Sequence, residues 1–397
     1  MSVGGAAARL VRLDVRDFRN LAHVELAPPA DGCVVIGENG QGKTNLLEAI
    51  SYLQILRSVR GVRDQDLVRF GADGFHVGAT VDTDHVHNVG VGFERAGKRK
   101  RVRLDGAIPE RLSDALGALP SVMFSPADVE LIAGAPTARR RFLDIMLALT
   151  TRGYLGALQR YRAALARRNA ALRDAARAGG SANAEASVAV WEPALAEFGA
   201  QLWRARRAWT EEVAEGFTTL CREIGETETV SIRYATALTA HDDDAVAMLA
   251  HALEQKRSLD IRRGLTHAGP HRDDLVITLD GRDLRTFGSA GQQRSAAIAL
   301  RMIEAATFRE RTGRAPLFLL DDPFAELDVR RAGRILAMLT RGASDGEQQI
   351  ILAVPRESDI PAELTKLARL RMRAGIVTPF VTPFVTPSVT PLELHDR

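Results

Sequence analysis

Gly37-Glu38-Asn39-Gly40-Gln41-Gly42-Lys43-Thr44 follows the apolar run Cys33-Val34-Val35-Ile36 and precedes Asn45-Leu46-Leu47-Glu48-Ala49-Ile50. The order is strand, glycine turn, helix. The glycines admit backbone angles closed to other residues, so successive N–H groups can converge on a polyphosphate. The positive end of the following helix faces the same anion. At this spacing Lys43 reaches the β- and γ-phosphates, and the Thr44 hydroxyl ligates Mg²⁺.

A second half-site lies far along the chain. The apolar strand Leu317-Phe318-Leu319-Leu320 ends in Asp321-Asp322-Pro323, followed by Ala325-Glu326-Leu327-Asp328. A carboxylate in the position of Asp321 organises the metal of a phosphate-loop ATPase. The adjacent Asp322 is the candidate to place or deprotonate an attacking water. Upstream, Gly288-Ser289-Ala290-Gly291-Gln292-Gln293 opens a helix. This stretch resembles the signature loop of ATP-binding-cassette ATPases, whose Ser, Gly and Gln give further donors for a γ-phosphate; its other reading is an ordinary helix N-cap at Ser289.

The composition bounds what surrounds these motifs. The chain has 397 residues, 46% apolar and 26% charged, enough for two or three domains with a sizeable core. No apolar run reaches the length of a membrane span and no signal-peptide order opens the chain, which predicts a cytoplasmic protein. Its two cysteines, Cys33 and Cys221, cannot build a disulfide framework or a four-ligand zinc site. The net charge of +3 is modest, so any affinity for nucleic acid depends on where the charge lies.

Alternating residues at 10–26 predict a hairpin, and strands are expected at 75–82, 86–93 and 101–104. From Thr137 the chain turns Ala/Leu/Arg-rich. Tyr154, Leu158, Tyr161, Leu165, Asn169 and Leu172, then Trp191, Leu195, Phe198, Leu202, Trp209, Val213 and Phe217, keep helical period. Two arms of about 45 Å joined by a short polar loop near 178–187 are predicted. A strand at 230–234 and a helix over 243–259 follow, then strands at 275–279 and 349–354. Repeated V-T-P from Val377 to Pro391 excludes a helix and predicts an extended or disordered tail. A neutral low-complexity extension is expected, with a docking peptide carried by Phe380 and Phe384 as the alternative. His267 and His271 have metal-pair spacing, but Gly269-Pro270 between them breaks any shared helix, so a structural or signature-supporting role is expected.

Basic residues cluster at Arg57, Arg60 and Arg63, at Lys98, Arg99, Lys100 and Arg101, and at Arg139, Arg140 and Arg141, continuing to Arg160, Arg162, Arg167 and Arg168. These are the candidates for phosphate contacts with DNA. No recognition helix, zinc finger or stacking platform is evident, so sequence-specific reading is not expected.

The chain resembles the RecF family. The resemblance is carried by Leu13-Asp14-Val15-Arg16-Asp17-Phe18-Arg19-Asn20, the phosphate-loop stretch, Arg57-Ser58 through Phe70-Gly71 and Phe124-Ser125-Pro126. It continues through Arg139 to Asp144, Gly269 to Leu275 and Gly288 to Arg294. It implies an α/β, ATP-binding-cassette-type ATPase head, with a mixed β lobe and a parallel-sheet phosphate-loop core, carrying an inserted α-helical arm. The expected division is 1–124 and 263–375 for the two parts of the head, 125–262 for the arm and 376–397 for the tail.

The resemblance further implies that Arg19, Asn20, Gly37, Glu38, Asn39, Gly40, Gln41, Gly42, Lys43, Thr44 and Asn45 bind ATP. Thr44 and Asp321 would hold Mg²⁺, and Asp322 would be catalytic. Ser289, Ala290, Gly291 and Gln292 would complete the site of a second copy in an ATP-dependent homodimer. That dimer would clamp double-stranded and gapped DNA, hydrolyse ATP slowly with stimulation by DNA, and act with RecO and RecR to direct RecA. The alternative is a structural DNA-bridging protein that binds nucleotide without turnover. Two departures from the wider cassette pattern stand out: Asp322 in place of a longer Glu, and Pro355 where a γ-phosphate-sensing His is usual.

Overall fold

The computed structural model describes residues 7–178, 182–238, 244–324, 327–340 and 348–380. The expected hairpin is β1 (Arg9–Phe18) and β2 (Leu21–Leu26), with Val15 opposite Val24. Next, β3 (Gly32–Ile36), buried throughout, runs into the phosphate loop, and α1 (Lys43–Ile55) leaves it. The antiparallel sheet β2-β1-β4-β5-β6 is completed by β4 (Gly74–Asp82), β5 (Val86–Glu94) and β6 (Arg99–Leu104). Alternate residues of its strands point inward, where Phe18 meets Tyr52 of α1 and Phe75 edge to face.

After β7 (Ser121–Phe124) come α2 (Glu130–Ala133), α3 (Pro136–Thr150), α4 (Tyr154–Arg177), α5 (Ala182–Ala189) and α6 (Glu192–Ile224). Then follow β8 (Val230–Ala235), α7 (Ala245–Arg263), β9 (Asp274–Leu279), β10 (Arg282–Asp283), α8 (Leu284–Phe287) and α9 (Ala290–Thr312). The chain closes with β11 (Leu317–Asp321), α10 (Val329–Thr340), β12 (Ile350–Val354), β13 (Ala368–Arg373) and β14 (Ile376–Pro379).

The central sheet has the order β14-β13-β3-β12-β11-β7, parallel except for β14. Its strands read as continuous apolar runs because both faces are covered. Cys33, Val35, Leu319 and Ile351 pack toward α1 and the antiparallel sheet. Val34, Ile36, Leu320 and Leu352 pack into the core that includes α9 and the arm. The structure thus has the predicted α/β head with a helical insertion.

Three expectations change. The supposed polar loop of the arm contains α5, whose Val188 is buried against Leu172, Ala175 and Ile261. Consequently α4, at 24 residues, spans about 36 Å, shorter than expected, while α6, at 33, spans about 50 Å. Gly179 and Gly180 lie outside the described residues. Second, β8 pairs with β9 across the boundary placed at 262/263, so the small sheet β10-β9-β8 ties arm and head together. Third, the start of the V-T-P stretch is not a free tail. β14 pairs with β13 as an edge strand, where proline's missing donor is tolerated, and Phe380 sits under Arg371. Phe384 and the rest of the repeat lie outside the described residues.

Candidate nucleotide site and nucleic-acid interface

The C-terminal ends of β3, β11 and β12 converge, as binding sites on parallel sheets do. The Gly37 N–H donates to Val354 O (3.2 Å) and the Asp322 N–H to Ala353 O (2.9 Å), which ties the phosphate loop and the acidic pair to one sheet edge. A Cβ on Gly37 would lie 2.4 Å from Met372 O, and Gly42, at φ 113°, has Asn20 against the place of its Cβ. Only glycine meets both demands. Asn20 donates to Gln41 O and accepts from Asn45, so the β1–β2 turn braces the loop from outside. Gln41 in turn accepts from the Ala374 and Gly375 N–H groups of the β13–β14 turn.

Gly42 caps α1 without a side chain, and no acidic residue occupies the first turn. The helix therefore presents its positive end and free N–H donors toward the loop. Lys43 is 7% exposed and its Nζ donates to Gly37 O and Glu38 O, within the loop's own curl. Burial pushes the Lys43 ammonium below its usual range, against the opposing pull of Asp321 and Asp322. Glu38, Asn39 and Gly40 form the exposed lip.

Thr44 Oγ1 donates to Asp321 Oδ1 at 3.1 Å, although the two residues lie 277 positions apart. A hydroxyl and a carboxylate so joined beside buried Lys43 match the hard-oxygen donor set Mg²⁺ prefers. Burial raises the Asp321 carboxyl, and the Thr44 hydrogen bond and the Arg60 and Lys43 charges oppose it. Asp322, at φ 46°, turns out of the strand. Burial, then the charge of Asp359, pushes its carboxyl up, which favours a proton acceptor. Sequence reasoning missed Asp359 because it lies 37 residues beyond Asp322 in a 3₁₀ turn. It missed Arg294 likewise: 5% exposed, that residue reaches from α9 to Asp322 O (3.3 Å) and Pro323 O (3.4 Å).

Ser289 is the N-cap of α9. It forms a reciprocal capping box with Gln292, the arrangement of the N-cap reading. Ser289 and Ala290 are exposed, and Gly291 and Gln292 half-buried. Gln292 bonds Glu228. Among the described residues none of their hydrogen bonds reaches the phosphate loop of the same chain, and α9, like α1, has no acidic residue in its first turn. Residues 325 and 326 lie outside the described residues, and Asp328 accepts from the Arg330 and Arg331 N–H groups at the start of α10.

Residues 9–378 match the family model described as the RecF/RecN/SMC N terminal domain. The DNA replication and repair protein RecF of Anaeromyxobacter sp. (strain Fw109-5) is 39% identical over 378 residues, covering 94% of this chain and 99% of that protein. The chain belongs to the RecF family. Its counterpart in Herpetosiphon aurantiacus is 34% identical over 388 residues, covering 93% of this chain and 99% of that protein. The solved structure of the recombination mediator protein RecF-ATP in the RecFOR pathway superposes with a TM-score of 0.85 at 29% identity, covering 95% of this chain and 99% of that one. A Pyrococcus furiosus Smc head domain, at 18% identity and a TM-score of 0.53, covering 93% of this chain and 95% of that one, shares the fold. Among the described residues no helix is long and apolar enough to cross a membrane.

In this RecF-family chain the predicted basic residues divide sharply. Arg139 is 6% exposed, forks onto Asp274 with two bonds of 2.8 Å, and closes the end of α2 through the carbonyls of Leu131, Ile132 and Gly134. Arg168 is fully buried between Asp260 and Glu192. Both are internal ties, not DNA contacts, and their charge misled because burial is invisible in a helical Arg/Ala run. Lys100 points inward from β6 to Asp64 and Leu56 O, while Lys98, Arg99 and Arg101 remain exposed. Arg140 bonds Asp273 O and Arg141 bonds Ser58 O. Arg57, Arg60 and Arg63 are exposed.

Arg60 and Arg19 share a partner that sequence reasoning passed over. Glu48 of α1, fully buried, accepts from Arg19 Nε and Nη2 (3.2 Å each) and from Ser58 Oγ (2.6 Å), with Arg60 at 3.8 Å. Arg19 thus braces the nucleotide helix from below. The histidines separate as expected: His267 pairs with Asp260, and His271 sits between Tyr161 OH and Thr266 O.

Proposed function

We propose that this chain is an ATP-driven DNA clamp of replication and recombinational repair, acting in the cytoplasm. The observation that carries this reading is the Thr44–Asp321 hydrogen bond, which closes two distant motifs into one nucleotide site. Residues 37–45, with Asn20 as brace, hold the triphosphate. Thr44 and Asp321 supply the oxygens for Mg²⁺, which when bound neutralises charge on the phosphate oxygens. Asp322 orients a water and takes its proton. Its short side chain and its hold through Arg294 favour slow turnover.

Ser289 stands at an exposed, acid-free helix N-terminus, suited to the γ-phosphate held by a second copy. Two copies then share two ATP molecules, and the exposed arginines of both face duplex or gapped DNA. RecR with RecO, and through them RecA, are the partners this reading assigns. A DNA-bridging protein without turnover is the second reading, favoured by the shortness of Asp322.

Sedimentation with ATP, ADP or no nucleotide, with and without gapped DNA, tests the clamp. Lys43→Arg is expected to abolish ATP-dependent dimerisation and duplex binding, and Asp322→Asn to preserve both while stopping phosphate release. If neither substitution alters any of the three, the mechanism is wrong. Absence of phosphate release from the unaltered protein, with dimerisation intact, would select the bridging reading.

A further inference from the structure

A cavity of about 930 Å³ lies between the β lobe and the arm, away from the phosphate loop. Its rim collects cations from three separate stretches: Arg57 after α1, Lys100 on β6, and Arg141 and Arg162 on the arm. Asp64 answers Lys100 at 2.8 Å and Asp144 answers Arg162 at 2.9 Å. Among the described residues Arg141 bonds a carbonyl, that of Ser58, and its guanidinium lies across Gly61. Arg57 is exposed and has no hydrogen-bond or ion-pair partner among the described residues. Burial, then the neighbouring charges of Arg57 and Arg162, weakens the hold of Arg141 on its proton. The field of Arg57 acts on Lys100 in the same sense. Arg57 and Arg141 thus stand near other cations with no carboxylate partner among the described residues, an arrangement suited to an anion. Leu116, Ala148 and Leu155 are among the apolar residues that line the cavity.

We propose that this cleft is a second nucleotide site, which takes an unpaired nucleotide with its phosphate on the arginine rim and its base against the apolar wall. The inference rests on the reading that the chain binds DNA, and assigns the part of the DNA read here. A duplex is too broad to enter a cavity of this size, whereas a nucleotide is of the size that such pockets enclose. The guanidinium forks of Arg57 and Arg141 match phosphate oxygens. The same chemistry admits a free nucleotide or an unpaired residue of a strand.

Fluorescein-labelled decathymidylate and a labelled blunt duplex of about 30 base pairs serve as probes for the full-length chain, read by anisotropy over a salt series. Ala148→Trp fills the cleft and leaves the rim intact. It is expected to weaken decathymidylate binding about tenfold or more, and to leave duplex binding within about twofold. Arg57→Ala, an exposed change that does not threaten folding, is expected to lower the salt slope for decathymidylate by about 0.7. Displacement of the oligonucleotide by millimolar thymidine monophosphate assigns the site to free nucleotide as well; oligonucleotide binding without displacement assigns it to strands. Unchanged decathymidylate affinity in both variants, with duplex binding intact, overturns the cleft assignment and leaves the clamp standing. Failure of the unaltered protein to bind either probe overturns both.

Discussion

Glu48→Gln is expected to destabilise the chain by about 2–4 kcal/mol, and the terms come from the geometry around that carboxylate. Two charge-assisted bonds from Arg19, whose side chain is 21% exposed, meet a Glu48 side chain that is 0% exposed. A bond of that class to a buried group contributes roughly 1.5–3 kcal/mol. Arg60, at 3.8 Å with a side chain 42% exposed, adds less than about 1 kcal/mol because water screens it. Ser58 keeps an acceptor in the amide oxygen and contributes little to the difference. Urea unfolding of the wild type, Glu48→Gln, Arg19→Met and the double variant closes a thermodynamic cycle. At constant m the midpoints report stability directly. The expected coupling between positions 19 and 48 is about 1.5–3 kcal/mol; a value below about 0.5 kcal/mol would show that the buried pair does not brace α1.

Asp359→Asn removes a negative neighbour that holds the Asp322 carboxyl up, so the acid limb of ATP hydrolysis should move to lower pH. A stopped assay over a buffer series reads this, and a limb that stays in place or moves up contradicts the assignment of Asp322 as base. Ser289→Arg should leave ATP binding by the single chain intact, measured by fluorescent-nucleotide titration, and abolish ATP-dependent dimers in sedimentation. Burial pushes His271 down to about 4 from its ordinary value, so the unfolded chain takes up the proton first as pH falls. That part of the stability is present above about pH 6.5 and lost toward pH 4, amounting to about 2 kcal/mol between pH 7.5 and pH 5. Urea midpoints of His271→Leu should lack this slope, and equal slopes in the two proteins would remove His271 as its source.

The phosphate loop and the acidic pair were legible because their chemistry is local: the glycines at 37, 40 and 42 and the Asp after an apolar strand fix type and spacing at once. Strand positions in the β lobe were equally plain, since period-two alternation survives in a half-buried antiparallel sheet. What escaped was any property set by tertiary partners. Glu48 looks like one polar residue on an amphipathic helix until Arg19 and Ser58, 29 positions before and 10 after it, close on it. Arg139 and Arg168 look like solvent-facing charges until Asp274 and Asp260, 135 and 92 positions away, are placed beside them. Helix α5 escaped because the glycines before it were allowed to define a loop. Yet its alanines and Val188 suffice for a short helix once Leu172 and Ile261 cover it.

One helix joins the phosphate loop to the rim of the cleft. α1 begins at Lys43 within the phosphate loop and ends at Leu56, whose left-handed turn (φ 53°) delivers the chain directly to Arg57 on the cleft rim. Thirteen helical residues form a rod of about 20 Å that resists bending on this scale. Glu48 lies partway along the rod and grips Ser58 and Arg60 beyond its end, so the rim segment is fastened to the helix at two places. On the cleft proposal, a shift of α1 on filling of the phosphate loop carries Arg57 with it and pulls on Arg141 of the arm through the Ser58 carbonyl that Arg141 bonds. The separation of these two cations, neither of which has a carboxylate partner among the described residues, would then set how strongly the proposed rim attracts phosphate. Under the cleft proposal, nucleotide state and affinity for unpaired DNA are linked through this one element, and by reciprocity DNA in the cleft would favour the α1 position that nucleotide selects.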